Sequence, residues 1–239
     1  MPSNRNRVSK RIASKKTSTS ASPSTPSSST ASSDTIYFWR QTEPTTGYLS
    51  QWYTSAPFRD RADPAKIYAT AEHYMMHQKA LLFADAEAAA SILEATSPRD
   101  VKALGRAVRG FDQAVWERER ERIVREGSWC KFTLPVDEEG EGKGEGERTW
   151  SLGDGASAPT MRAASFRDVL LATGDRELVE ASPFDRIWGV GFAAKNAASR
   201  RDKWGMNLLG KCLMEVREEF RKEVQAKAEA AKAEEGEES

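Results

Sequence analysis

Low-complexity segments limit how much of this chain can form a hydrophobic core. Residues 17–33 read TSTSASPSTPSSSTASS and follow a basic stretch that contains no acidic residue. A segment of this composition cannot bury enough apolar surface to fold, so we predict a disordered basic, Ser-rich tail over residues 1–33. A nuclear-import patch, an organellar transit peptide and a plain solvated tail are alternative interpretations of it.

Two further segments are predicted to lie outside the core. Residues 136–160, VDEEGEGKGEGERTWSLGDGASAPT, alternate Glu and Gly near their start, a pattern that favours neither a helix nor a packed strand. We therefore predict a flexible surface insertion there. Residues 222–239 are rich in Ala, Glu and Lys, and we expect them to begin as a helix and to fray into an acidic C-terminal tail. One domain remains, spanning residues 34–221.

Charge and cysteine content exclude some classes of protein. The 36 basic residues balance the 36 acidic residues, so net charge indicates neither a nucleic-acid partner nor a membrane. Two cysteines, Cys130 and Cys212, are too few for a disulfide framework and favour a reducing compartment. No apolar run approaches the roughly 20 residues that a membrane-spanning helix needs. We expect a soluble protein of the cytoplasm or nucleus, with organellar import through the N-terminal tail as the alternative.

Helical patterns dominate the remaining core, so the predicted fold class is mainly α (α+β with a few short strands). Strands are predicted at TIYFW (35–39) and in KIYAT (66–70), where β-branched and aromatic residues cluster. Ser97 is a predicted helix cap, and Asp112 is the predicted cap of a second helix that we expect to end at Gly127. Further helices are expected in FRDVLLATG and NLLGKCLMEVREEFRKEV.

The segment AEHYMMHQKA (71–80) contains both histidines of the chain. His73 and His77 are four residues apart, which places them on one face of a helix at a spacing that zinc sites use. The metalloprotease motif would have a glutamate directly after the first histidine, where this chain has Tyr74. A third ligand would have to be a carboxylate or a cysteine, and the two cysteines show no ligand spacing to each other. We therefore expect no metal site.

Two other interpretations of the same segment stay open at this point. Apolar residues can cover a buried stripe at helical spacing, which would leave Glu72 and Lys79 in water on an ordinary core helix. Alternatively, Glu72 and Lys79 form a catalytic pair. They are seven residues apart, almost two helical turns, so they share a face with a separation of about 10 Å along the axis. Met75 and Met76 lie between them in the sequence.

The ordered blocks of the core resemble the NADAR family, also called YbiA-like, which includes the RibX-type N-glycosidases. The resemblance covers most of residues 34–221 and rests on blocks that appear in the family's order. They are YFW, GYLSQW, AEHYMMHQK, GRAVRGFDQAVWERERERIV, LLATGDRELVEASPFDRIWGVG and WGMNLLGKCLMEVRE.

The resemblance implies a single YbiA-like domain with hydrolase activity on N-glycosidic bonds to ribose-type sugars. The implied substrate classes are aminoribosyl pyrimidine phosphates of the riboflavin pathway and ADP-ribose attached to guanine. The implied partners are therefore a small-molecule ribosyl or nucleotide substrate and, in the second case, ADP-ribosylated nucleic acid. No cofactor is implied, and the oligomeric state stays undetermined.

The resemblance also implies the residues of the site. Three are expected to be catalytic: Glu72, Lys79 and Asp185. A larger set is expected to bind substrate: Tyr48, Ser50, His73, Arg106, Trp116, Trp188, Gly189 and Asn207. A carboxylate can stabilise the positive charge that develops on the sugar or act as a general acid or base. A lysine amine can attack C1′ and hold the opened sugar as an imine, for which it must be deprotonated.

Several of these residues have a structural alternative. Trp116 would be a core residue on its helix, and Arg106 would lie on the surface. Asp185 would form a turn near Pro183, and Asn207 would cap the last helix.

The sequence also departs from the family pattern at three positions, namely Gln51, Met76 and Val190. Asparagine, glutamine and aspartate, respectively, are expected there. The loss of polar groups at Met76 and Val190 favours a competing hypothesis, a non-catalytic module that binds a nucleotide or ADP-ribose. A third hypothesis is that the basic tail docks the domain near nucleic acid, which salt-dependent DNA binding without residues 1–33 would contradict.

Overall fold

A computed structural model describes residues 34–136 and 147–237 of this chain. The predicted N-terminal tail (1–33) and residues 137–146 of the predicted insertion lie outside the described residues. No helix in the described ranges is both long enough and apolar enough to cross a membrane.

The described residues form a mainly helical domain with short strands, so the predicted fold class is confirmed. The helices are α1 (Ala71–Leu82), α2 (Ala86–Glu94), α3 (Pro98–Arg106), α4 (Gln113–Thr133), α5 (Phe166–Leu171), α6 (Ala194–Ala197) and α7 (Leu208–Glu237). The strands are β1 (Thr35–Phe38), β2 (Phe58–Arg59), β3 (Ile67–Tyr68), β4 (Arg148–Ser151), β5 (Thr160–Ala163) and β6 (Glu177–Glu180). Two 3-10 helices, Gly47–Leu49 and Ala198–Lys203, complete the elements.

Side-chain caps fix the starts of α3 and α4, as predicted. The hydroxyl of Ser97 and the carboxylate of Asp112 each accept a hydrogen bond from the first turn of their helix. The expected end of α4 at Gly127 is wrong, because the helix continues to Thr133. A Cβ at Gly127 would lie 2.5 Å from the ring of Tyr74, so this glycine permits close packing of α4 against α1 rather than ending the helix.

Helix α1 lies at the centre of the fold, in contact with α2, α3 and α4. It is buried on nearly every side, including at Glu72 and Lys79. A helix in that position needs side chains that pack in all directions, and its charged groups must find partners inside the protein.

Strands β1 and β6 pair in parallel, with Thr35 opposite Glu177 and Phe38 opposite Glu180. Their carboxyl ends therefore meet at one edge, as the ends of parallel strands do, and the chain segments that follow them lie side by side. Edges of this kind are common ligand sites in parallel sheets. The other two pairs, β2 with β3 and β4 with β5, are antiparallel.

The prediction that residues 136–160 contain no packed strand is wrong for their second half. Strand β4 and the start of β5 lie there, and the Trp150 ring of β4 stacks on Phe166 with a centroid distance of 4.9 Å. The carbonyl of Leu152 accepts a hydrogen bond from the backbone of Tyr48 at 3.0 Å. Apolar side chains that the Glu/Gly run obscured in the sequence attach this hairpin to the core.

The acidic segment at the C-terminus is helical as far as Glu237, as part of α7. Its side chains are largely exposed from Val224 to Glu234, in keeping with their polar composition. The apolar side chains of α7 that pack on α4 and β6 lie before this segment.

Candidate active site

The amino-terminal end of α1 is held by the loop that precedes β2. Thr70 caps the helix by accepting a hydrogen bond from the backbone of His73. The carbonyl of Gln51 accepts one from the backbone of Glu72 at 3.0 Å. These contacts satisfy N–H groups that the first turn of a helix leaves unpaired, and they fix Glu72 against the loop that carries Trp52.

Glu72 is a buried carboxyl group with incomplete hydrogen bonding. It is 3% exposed, and its Oε1 atom has no hydrogen-bond partner within the described residues. Burial raises the pKa of Glu72 to about 7. Lys102, a hydrogen bond from the Trp52 side chain and Arg106 act in the opposite direction, and Asp185 acts with burial. Because proteins rarely leave a buried carboxylate oxygen unpaired, Oε1 marks a candidate position for a ligand.

Glu180, which the sequence analysis did not single out, belongs to the same cluster. It is the last residue of β6, and its Oε2 atom is inaccessible and unpartnered within the described residues. Burial raises the pKa of Glu180 to about 8, the carboxylates of Asp185 and Glu72 raise it as well, and Lys102 lowers it. A usable signal was present in the sequence, because a carboxylate at the end of a parallel strand faces the edge where ligands commonly bind.

Asp185 lies in the loop that follows β6. Its Oδ1 atom accepts hydrogen bonds from the backbones of Ile187 and Trp188, each at 2.8 Å, so the carboxylate organises a turn as well as acting on the cluster. A Cβ at Gly189 would lie 2.7 Å from the carbonyl oxygen of Glu180, so glycine is required for the loop to return this close to β6.

Asn207, expected to bind substrate, is committed to the backbone of β6. Its Nδ2 donates to the carbonyl of Leu178 at 2.9 Å, and its Oδ1 accepts from the backbone of Glu180 at 3.0 Å. The residue has a φ of 51° and directly precedes α7. This position is near the one expected if Asn207 were the cap of the last helix. Its side chain positions Glu180, while a substrate contact stays a prediction.

Lys79 lies in an aromatic environment near the other end of α1. Its Nζ donates to the carbonyl of Gly105 at 2.6 Å and lies 4.3 Å and 5.5 Å from the ring centroids of Phe111 and Trp116. Burial lowers the pKa of Lys79, which is 9% exposed. Trp116 is also 9% exposed, so it is a core residue and at the same time a neighbour of Lys79.

Glu72 and Lys79 share one face of α1, as predicted, but they have different immediate surroundings. Met76 lies between them on that face and packs so closely on α3 that a Cβ at Gly105 would be 2.0 Å from its sulfur. The charged groups that act on Glu72 are Lys102, Asp185 and Arg106. Within the described ranges, burial is the only cause that lowers the pKa of Lys79. A shared reaction centre for the pair therefore stays a prediction.

The two histidines of α1 are engaged in hydrogen bonds of the protein interior. His73 bonds through Nδ1 to the hydroxyl of Thr70 (2.8 Å) and through Nε2 to the carbonyl oxygen of Ala95 (3.0 Å). His77 bonds through Nδ1 to the hydroxyl of Tyr68 at 2.9 Å. Burial lowers the pKa of both residues. Across residues 34–136 and 147–237, no group of three or more potential ligands could hold a metal ion.

Tyr48 and Ser50, expected to bind substrate, lie on the loop that supports Trp52. The ring of Tyr48 packs among phenylalanine side chains of α4 and α5, and the hydroxyl of Ser50 accepts a hydrogen bond from the backbone of Trp52 at 3.2 Å. Lys131 of α4, which is 2% exposed, donates to the carbonyls of Tyr48 and Ser50 at 2.6 and 2.9 Å. Sequence reasoning missed this buried lysine, since nothing in its local pattern differs from a surface position.

Cations and indole rings border the carboxylate cluster. Lys102 and Arg106 lie four residues apart on α3, and neither forms an ion pair within the part of the chain that the structure describes. The Lys102 ammonium is 5.8 Å from the ring centroid of Trp52, and Arg106 is exposed, in agreement with its surface alternative. Trp188 is half-buried beside the core.

The three departures from the family pattern have different structural consequences. Val190 is fully buried in a small cluster with Val179 and Ala197, and its backbone N–H donates to the carbonyl of Glu180, so its effect on the polarity of the site stays a prediction. Met76 packs against Gly105 of α3, the residue whose carbonyl accepts a hydrogen bond from Lys79. Gln51 contributes a third buried acceptor without a partner in the described residues, its Oε1 atom.

Chemically, the cluster offers buried oxygen acceptors beside unpaired cations. Such acceptors suit a ligand rich in hydroxyl or amino groups, and the α3 cations suit an anionic group such as a phosphate. Two carboxyl groups with raised pKa values near neutrality are suited to proton transfer.

Comparisons with known proteins identify the family and the fold of the chain. The model of the NADAR domain matches residues 37–221. An N-glycosidase named R617, from Acanthamoeba polyphaga mimivirus, is 36% identical over 175 residues, which are 72% of this chain and 86% of the relative. The N-glycosidase Npun_R5314 of Nostoc punctiforme is 31% identical over 78% of this chain and 93% of its own length. The NMR structure of the E. coli protein YbiA superposes with a TM-score of 0.53 at 25% identity, covering 81% of this chain and 89% of that one.

Proposed function

Because this chain belongs to the NADAR family, we propose that it is an N-glycosidase that hydrolyses the bond between a ribose-type sugar and a nitrogen base. The substrate is a phosphorylated ribosyl compound, either an aminoribosyl pyrimidine phosphate of the riboflavin pathway or ADP-ribose attached to guanine in nucleic acid. The buried Oε1 atom of Glu72, unpaired among the described residues and flanked by cations, is the observation that carries the proposal.

Cleavage of a C1′–N bond develops positive charge on the sugar and leaves an electron pair on the base. In its ionised form, Glu72 stabilises the sugar cation or removes a proton from attacking water. Its location suits this role, because burial strengthens its interaction with a nearby cation and prevents solvent from screening it.

Lys79 supplies a second route, in which its amine attacks C1′ and holds the opened sugar as an imine until water releases it. The reaction needs the neutral amine, and burial lowers the pKa of Lys79 in that direction. Among the residues that the structure describes, no carboxylate opposes this effect. The separate surroundings of Glu72 and Lys79 make the two routes distinguishable.

Substrate recognition follows from the border of the cluster. The planar guanidinium of Arg106 suits bidentate contact with a phosphate, and Lys102 on the preceding turn of α3 adds charge beside it. The rings of Trp52 and Trp188 are available to stack on the heterocycle.

The direct test is a hydrolysis assay with both substrate classes. Purified protein is incubated with the aminoribosyl pyrimidine phosphates and, separately, with guanine-ADP-ribosylated DNA, and release of ribose 5-phosphate or ADP-ribose is measured. Glu72→Gln should lose turnover at unchanged thermal stability, whereas Glu121→Gln, at an exposed position of α4, should not. Absence of release from both substrate classes would refute the proposal, and full activity of Glu72→Gln would remove the carboxylate from the mechanism.

The covalent route has its own measurement. Borohydride added during turnover reduces an imine to a stable secondary amine, so mass spectrometry should find the sugar attached to Lys79. The adduct should disappear in Lys79→Arg and persist in Lys222→Arg, which alters an exposed lysine of α7. Turnover in Lys79→Arg at the wild-type rate would contradict the covalent route and leave direct attack by water.

A further inference from the structure

We propose that Glu180 is a further catalytic residue, the acid that protonates the departing base nitrogen while Glu72 acts on the sugar. This inference rests on the proposed N-glycosidase activity and assigns a role to a carboxyl group that lies outside the candidate residues derived from the sequence. It requires that Glu180 be held rigidly, that its carboxyl be free for a ligand, and that its proton be retained when Glu72 has lost its own.

The backbone of Glu180 is fixed on both sides. Its N–H donates to Oδ1 of Asn207 at 3.0 Å, and its carbonyl oxygen accepts from the backbone of Val190 at 2.9 Å. The strand pairing with Phe38 and the close approach of Gly189 complete this support. A group that transfers a proton needs such a fixed position, because a small displacement lowers the rate sharply.

The side chain of Glu180 has no structural task that uses both of its oxygens. Its Oε2 atom is shielded from solvent and has no hydrogen-bond partner in the described residues. A carboxyl group that only stabilised the fold would have its buried oxygens paired, since each unpaired one costs stability. The Oε1 atom of Glu72 is unpaired in the same way. The charges of Lys102 and Asp185 act on both carboxyl groups, Glu72 and Glu180.

The charges around the two carboxyl groups differ, and the difference assigns their roles. Burial raises the pKa of Glu72 and the carboxylate of Asp185 acts in the same direction, whereas two cations, Lys102 and Arg106, and a hydrogen bond from Trp52 favour its ionised form. Glu180 is near one cation, Lys102, and two carboxylates, Asp185 and Glu72, which favour its protonated form. Neighbouring carboxyl groups whose surroundings separate their protonation states are the usual arrangement for an acid and its ionised partner.

In the proposed step, Glu180 donates one proton and Glu72 accepts one. The C1′–N bond breaks with its electron pair going to the nitrogen, and the proton of Glu180 is transferred to that nitrogen. Water adds its oxygen to C1′, and one water proton passes to Glu72. Transfer of that proton through water to Glu180 restores the starting state, so that the products are the free base and the sugar.

The experiment compares leaving groups of different basicity. Glu180→Gln and the wild type are assayed with an aminoribosyl pyrimidine phosphate and with 4-nitrophenyl riboside 5-phosphate, whose nitrophenolate leaves without protonation. The kcat of Glu180→Gln should fall roughly 100-fold to 10,000-fold with the pyrimidine substrate and less than about tenfold with the nitrophenyl compound. Glu72→Gln should lose activity with both substrates, because the sugar cation forms in each case.

A pH profile and a second variant exclude a merely structural effect. The wild-type kcat profile should fall on the alkaline side as Glu180 loses its proton, and the Glu180→Gln profile should lack that fall. Glu180→Asp keeps a carboxylic acid and should retain more kcat than Glu180→Gln. If Glu180→Gln does not fold, the alkaline fall and the leaving-group dependence of Glu180→Asp decide the question.

The outcomes separate the two proposals. The role of Glu180 alone is overturned if the wild type cleaves ribosyl substrates and Glu180→Gln cleaves them equally well. It is also overturned if Glu180→Gln loses the same fraction of kcat with both leaving groups. A wild type that cleaves neither of these substrates and releases no ADP-ribose from guanine-ADP-ribosylated DNA overturns the proposed function, and the role of Glu180 with it.

Discussion

Replacing Lys131 with methionine should change the pH dependence of stability. Lys131 is a buried residue of α4. Its Nζ donates hydrogen bonds to the carbonyls of Tyr48 and Ser50, which belong to the segment that leads to Trp52 of the candidate site. Burial lowers its pKa from 10.5 to about 7. Methionine has a similar length and is apolar, so Lys131→Met removes the titrating group and both hydrogen bonds while it conserves much of the packing.

The direction in which the free energy of unfolding changes with pH depends on how many protons the folded and unfolded states bind. Between pH 7 and about pH 10 the unfolded chain keeps the lysine proton, whereas the folded protein has lost it, so the free energy of unfolding rises with pH. One pKa unit corresponds to about 1.4 kcal/mol. From pH 7, where Lys131 is half-protonated in the folded state, to pH 9, this group should therefore add about 2 kcal/mol.

Urea denaturation of both proteins at pH 7, 8 and 9, followed by tryptophan fluorescence, measures this contribution. The stability difference between wild type and Lys131→Met should grow by about 2 kcal/mol over that range, because other titrating groups cancel in the difference. At pH 7 the stability difference between the two proteins contains two opposing contributions. The two carbonyls that lose a donor cost the variant about 1–3 kcal/mol each, and the variant no longer has to bury an ammonium group.

The matched control is Lys211→Met, which changes an exposed lysine of α7. It should leave the pH dependence of the free energy of unfolding unaltered. A wild-type-minus-Lys131→Met difference that is constant between pH 7 and pH 9 would refute the reasoning, because it would mean that Lys131 titrates alike in the folded and unfolded states.

Three other predictions follow from packing. Gly127→Ala should destabilise the protein by about 1–2 kcal/mol in urea denaturation, since its methyl group would meet the ring of Tyr74 and this clash outweighs the higher helix propensity of alanine. Asn207→Gly keeps the positive φ but loses both hydrogen bonds to β6, so calorimetry should show a stability loss of about 2 kcal/mol; an unchanged Tm would contradict this. Burial raises the pKa of the Cys130 and Cys212 thiols to about 11 and about 12, so both should react with a thiol reagent at pH 8 only after unfolding; rapid labelling of the native protein would be inconsistent with the structure.

Local signals in the sequence predicted much of the secondary structure. Ser97 and Asp112 cap the helices that follow them, since a capping side chain bonds to backbone only two or three residues away. The error at Gly127 has the opposite cause. Its role depends on an aromatic ring more than fifty residues earlier in the chain, which no local rule includes.

Some features of the candidate site were likewise indicated by the sequence, and others were not. The helical period placed Glu72 and Lys79 on one face of α1, and the family resemblance added Asp185 and Arg106, two of the residues that act on Glu72. Neither source indicated that the side-chain amide of Asn207 hydrogen-bonds to β6 or that Val190 is buried in a small apolar cluster.

By itself, the sequence determined the helical class, the family, and the shared face that carries Glu72 and Lys79, because each depends on residue types and spacings along one segment. Only the tertiary structure decided which groups surround those side chains. It brought Glu180 and Lys102 from distant segments to Glu72, and it placed Lys79 among aromatic rings. The physical reason is that burial and charge, which set the protonation of a carboxyl or an amine, come from neighbours in space, and the order of residues along the chain does not contain them.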